Sequence, residues 1–73
     1  MMTWIELRKR SGISQFACAK SSGVSRVRLS LAENAQVTLT PHEEASVRQA
    51  INDHIHAKSK ELRRLEATIG ATA

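Results

Sequence analysis

Hydroxyl residues, glycines and one proline divide the apolar spacing of this chain into four stretches that each read as helix. Thr3-Trp4-Ile5-Glu6 has the form of a capping box, with the Thr hydroxyl taking an amide proton three residues on and the Glu carboxylate reaching back. It predicts a helix from Trp4 through Arg10, stopping near Gly12, whose missing β-carbon permits the left-handed turn that ends helices. Ser14 caps a second, from Gln15 to about Ser21, with Gly23 placed to end it. Ser25 caps a third, from Arg26 to about Asn34, a stretch with neither Gly nor Pro. Asn34 to Leu39 alternates weakly, is too short for a strand pair and reads as a loop. Asn34 is the residue expected to take any left-handed conformation there.

Thr40-Pro41-His42-Glu43 is the strongest start signal in the chain, combining a Thr cap, Pro at the first helical position and Glu at the third. Glu44 adds a second negative charge near the positive end of the helix dipole. No Gly or Pro follows Glu43 until Gly70, so one helix of about 28 residues and about 40 Å is expected. That is more helix than a small core covers. In its second half Ile55, Leu62 and Ile69 recur every seven residues, interleaved with Ile51, Lys58 and Leu65. This spacing is an a/d seam with one lysine in it, and it makes residues 51–69 a candidate dimerisation segment. A helix folded back on its own domain, or a tail that frays after about Lys58, would carry the same sequence.

Length and charge narrow the function. The 73 residues hold one small core, with no room for a substrate domain. Leu, Ile, Val and Phe number 16, so the core is thin and the chain must work by its surface. The net charge of +4 is already present in residues 1–34, where Arg8, Lys9, Arg10, Lys20, Arg26 and Arg28 face only Glu6 and Glu33. A basic half on so small a domain suits a polyanion, nucleic acid before an anionic membrane. No apolar run is long enough to span a bilayer and no signal pattern opens the chain, so a cytoplasmic, nucleoid-associated protein is expected. Cys18 is the only cysteine, which rules out an internal disulfide or a thiolate-rich zinc site and suits a small residue buried in a helix.

No enzyme and no cofactor are expected. His54 and His56 stand two apart on a helix and point to nearly opposite sides, so they cannot share a metal, and His42 lies a dozen residues away. No carboxylate pair or Cys-His partnership accompanies them.

The second and third stretches are joined by only the few residues from Ser22 to Ser25. Two short helices with so small a hinge must cross steeply, which is a helix-turn-helix. The residues Leu7-Arg8-Lys9-Arg10-Ser11-Gly12-Ile13-Ser14-Gln15, then Ala19, Gly23-Val24-Ser25, Leu29-Ser30 and Glu33-Asn34 resemble the XRE-like, Cro/CI-type repressors of phages and bacteria. The resemblance covers about residues 4–55. It implies an all-α, lambda-repressor-like helix-turn-helix domain over 1–55, with a long C-terminal helical extension over 56–73. It also implies that Ser14 and Gln15 hold backbone phosphate and that the segment from Ser25 onward reads bases. Ala19 would let the two helices approach, Gly23 would carry the turn, and Val24 and Leu29 would fill the space between. The chain departs from the family where Cys18 and Ser22 replace larger apolar residues and where Ala35 replaces a Gly after Glu-Asn.

Helix geometry alone points to the same face. With Leu29 and Ala32 buried and Ser25 flanking them, the outward face centres on Val27, Ser30 and Leu31, with Arg26 and Arg28 at its borders. Arginine can grip guanine O6 and N7 with two bonds, and Val27 or Leu31 can meet a thymine methyl. Leu31 serves equally well packed under the 35–39 loop. Arg8, Lys9, Arg10 and Lys20 are the candidate clamps on the DNA backbone.

The expected function is therefore sequence-specific binding of double-stranded DNA by a transcriptional regulator, most simply a repressor. It would act as a homodimer on an imperfect palindrome, with recognition helices about 34 Å apart. An antitoxin repressing its own operon would share this chemistry. The alternative class is a protein-interaction adaptor working through the long C-terminal helix. Membrane binding is a weak third, because the tail's apolar face lacks aromatics.

Overall fold

The computed structural model describes the backbone of residues 2–72 and the side chains of residues 2–67. Four helices, α1 (Trp4–Ser11), α2 (Gln15–Ser22), α3 (Arg26–Glu33) and α4 (Pro41–Thr72), account for all regular structure among the described residues. The chain is all-α.

Each short helix starts where a hydroxyl accepts an otherwise unsatisfied amide proton. Thr3 accepts from Glu6 N at 3.2 Å, Ser14 from Ala17 N at 3.1 Å and Ser25 from Arg28 N at 3.1 Å. Glu6 does not return a bond, so the first box is half formed. At α4 the box is complete: Thr40 Oγ1 accepts from Glu43 N at 3.1 Å, and Glu43 Oε1 accepts from Thr40 N at 2.9 Å. Gly12 and Gly23 end α1 and α2 at φ of 79° and 78°, where a side chain would be strained.

Two expectations about helix ends are corrected. The left-handed residue after α3 is Ala35, at φ 60°, while Asn34 lies at φ −91°. The hydrogen bonds explain this. Ala35 N donates to Ala32 O and Gln36 N to Leu31 O, the two bonds of a Schellman motif, which requires the residue after the cap to be left-handed. Gly70 does not end α4, which continues to Thr72. A glycine inside a helix costs about 1 kcal/mol, which its helix-compatible neighbours can absorb.

The core is drawn from every element. Trp4 of α1, Cys18 of α2, Leu29 and Ala32 of α3, and Val47, Ala50 and Ile51 of α4 are buried together with Ile13, Val24 and Leu39 from the connections. Leu29, Val47, Cys18 and Ile51 are the largest fully buried side chains. Ile51 therefore belongs to the core and not to a dimer seam. A heptad position records only that a residue is buried, not whether the partner lies in the same chain.

The core stops at Ile51, but α4 does not. The molecule measures 52 × 24 × 18 Å, and its radius of gyration of 15.0 Å exceeds the roughly 11 Å of a compact chain this long. The second half of α4 projects away from the head, and no helix among the described residues is long and apolar enough to cross a membrane.

Candidate nucleic-acid interface

The outward face of α3 is built by its buried one. Leu29 and Ala32 pack inward, so the 100° step of the helix turns Arg26 and Val27 to solvent and leaves Ser30 and Leu31 half-buried at the edge. Val27 is 70% exposed. Gln15, Arg26, Val27, Ser30 and Leu31 line one open groove, so five of the expected site residues converge. Leu31, which the sequence left between two roles, borders this groove.

Ser25 caps α3 beside a second hollow formed with Phe16, Ala19, Lys20, Gly23, Val24 and Arg26. Arg26 lines both hollows and stands between them. Neither Arg26 nor Lys20 makes a hydrogen bond or ion pair among the described residues. Their charges point outward uncompensated.

The other cations behave differently. Arg28, expected at the free border of the face, turns to α4: its Nε donates to Glu43 Oε2 and its Nη2 to Glu43 Oε1 at 2.8 Å. One of its two bidentate edges is thus occupied within the protein. The Arg28 hydrogen bond, followed by the Thr40 amide, holds the Glu43 carboxyl down to about 2, and the same contact raises Arg28. Carboxylate and cation tie the first turn of α3 to the first turn of α4.

Arg8, expected as a backbone clamp, is also engaged internally. Its Nε donates to Glu33 Oε1 and its Nη1 to Ile13 O at 3.0 Å. Gln15 Nε2 donates to the second oxygen of Glu33, so one carboxylate ties α1, α2 and α3 together. An amide nitrogen carries two protons, and the second on Gln15 remains for an outside acceptor. Arg10 lies elsewhere, in a groove with Leu7, Ile55, Lys58 and Leu62. Ser14 is exposed with its hydroxyl committed to the cap of α2.

Phe16 was not anticipated as part of this surface, yet it is 63% exposed beside Lys20, Ser25 and Arg26. The available signal was its phase: it stands two residues before buried Cys18 and so cannot share its side of α2. Burial pushes the Cys18 thiol up, against the lowering effect of nearby Arg8, and the side chain is sealed in the core. Among the described residues no group of His, Cys, Asp and Glu side chains is arranged to hold a metal ion.

On the long helix the seam residues separate. Ile51 is in the core, Ile55, Leu62 and Leu65 are 42%, 53% and 54% exposed, and the Ile69 side chain lies outside the described residues.

No family model, curated protein or solved structure matches this chain. What fold and site define is a class: an all-α chain whose third helix presents a mixed basic and apolar face, with a long fourth helix running past the core.

Proposed function

We propose that this chain is a sequence-specific double-stranded DNA-binding transcriptional regulator, a repressor with the lambda-repressor-like helix-turn-helix domain that its sequence resembles. The observation that carries the reading is the face of α3, where Arg26 and Val27 project without a protein partner beside Gln15, Ser30 and Leu31. Two short helices joined by three residues, Gly23 to Ser25, support the helix-turn-helix assignment.

In a major groove Arg26 would donate to guanine O6 and N7, Val27 would meet a thymine methyl, and Ser30 would offer a hydroxyl to either partner. Gln15 and Lys20, at the two ends of α2, would donate to phosphate, fixing register without reading sequence. Arg28 is a strut: paired with Glu43, it ties the first turn of α3 to the first turn of α4. Repression would follow from occupancy of the operator. A module this small makes few contacts, so two copies on a palindromic site are needed for tight binding.

The test is a titration with duplex DNA at several salt concentrations. A steep fall of log affinity with log salt is expected, with a slope shallower by about one for Lys20→Ala. Affinity indifferent to salt and to Arg26→Ala would overturn the reading. The adaptor or antitoxin reading draws on the exposed Ile55, Leu62 and Leu65. It gains if Leu62→Asp abolishes a complex with another protein while Arg26→Ala changes nothing.

A further inference from the structure

Phe16 is the chain's only phenylalanine, and it stands 63% exposed on α2 while Trp4, the other large aromatic residue, is sealed in the core. A single exposed apolar side chain is ordinary on a protein surface. Its company is what distinguishes this one. Four residues on, Lys20 shares its side of α2, about 40° away at 100° per residue, and buried Cys18 lies about 160° from each of them. Burying Cys18 therefore turns the phenyl ring and the ammonium outward together. They face the start of α3 across a hollow floored by Ala19 and Val24 and bordered by Ser25 and Arg26. At Gly23 a β-carbon would meet nothing within 4 Å, so the hollow is open at that end.

Donors and carbon alternate across this hollow. Lys20 brings an ammonium with no partner among the described residues, and Phe16, Ala19 and Val24 supply carbon. Ser25 follows: its Oγ accepts the Arg28 amide proton at 3.1 Å and keeps its own proton for an outside acceptor. A DNA strand repeats the complementary order, an anionic phosphate, a largely apolar deoxyribose and a phosphate again. We infer that this hollow seats one backbone sugar of a duplex, its ring carbons on Phe16 and its two flanking phosphates on Lys20 and Ser25. Phe16, Ala19 and Val24 carry no polar side-chain atom, so the contact is blind to base sequence. Arg26, which borders both this hollow and the groove of α3, keeps its guanidinium for a base edge.

The inference rests on the DNA reading proposed above and adds to it a residue that contributes affinity without charge. The two kinds of contribution separate by experiment. A cation on a phosphate releases counterions, so its share of the affinity fades as salt rises. A phenyl ring covered by a sugar releases none, so its share is the same at every salt concentration, and the apolar area it buries makes the heat-capacity change of binding more negative.

The test is a calorimetric titration, over several salt concentrations and temperatures, of the full chain with a duplex that the wild type selects from a random pool. Phe16→Ala should weaken binding about tenfold at every salt concentration and make the heat-capacity change less negative, while the slope of log affinity against log salt stays that of the wild type. Phe16→Leu should recover most of the affinity, since a sugar needs carbon and not a ring. The fluorescence of buried Trp4 should be unchanged in both variants, as proof that the fold is intact. An affinity that Phe16→Ala leaves unchanged, which is also what a hollow built for an acidic protein segment would give, overturns the inference. So does a loss that comes with a shallower salt slope, or a selected consensus that Phe16→Ala alters at a base. If Arg26→Ala still weakens binding in those cases, the DNA reading stands without it. A wild-type chain that enriches no duplex overturns both.

Discussion

Ala35 is held left-handed at φ 60° by the two hydrogen bonds that close α3, a conformation that costs an L-residue with a β-carbon about 1–2 kcal/mol. Ala35→Gly should therefore stabilise the protein by about 1 kcal/mol, raising the thermal midpoint by about 5 °C, and a lowered midpoint would contradict the assignment. Glu43 gives a pH dependence of definite sign. Its carboxyl lies at about 2 in the folded chain against 4.5 for an unperturbed one, so its contribution is complete above 4.5 and is lost as pH falls toward 2. Glu43→Gln should flatten the acid limb of stability between those values, and a limb unchanged in shape would show that the pair does not hold α3. At Arg26 the expectation is functional: Arg26→Ala should leave the thermal midpoint unchanged, since the side chain makes no contact the fold depends on. None of the ties at Arg28 or Gln15 could be read from sequence. Their carboxylate partners lie 15 and 18 residues away, and no local period links such positions.

Helix starts are the most legible elements because a cap is a contract between residues three apart. Thr3, Ser14, Ser25 and Thr40 all bond the amide that the sequence assigns them. Thr40→Ala should cost about 1 kcal/mol, more than Thr3→Ala, because at Thr40 the bond is returned by Glu43, which also anchors Arg28. Equal effects by chemical denaturation would count against that coupling. The turn glycines were legible for the same local reason. The end of α4 was not, since a single Gly70 is a weak stop, and neither was the division of its seam, because Ile51 and Ile55 carry the same period. Only the position of the core separates them.

At the scale of the molecule the protein is a thin-cored head with a projecting helix. The head carries its uncompensated Arg26 and Lys20 on the α2–α3 side, while the projecting helix carries an apolar stripe edged by Glu61 and Glu66. The outward face of α3 was legible because burying Leu29 and Ala32 fixes the opposite side of an eight-residue helix. Which of its cations stay free was settled only by tertiary pairing. The most direct test is to select duplexes from a random pool with the wild-type chain and with Arg26→Ala. An imperfect palindrome with a guanine at one fixed position of each half-site should be enriched, and the variant should lose that guanine, about 1–3 kcal/mol of discrimination, while keeping the other preferences. No enrichment, or a consensus that Arg26→Ala leaves intact, would contradict the claim that this face of α3 reads DNA.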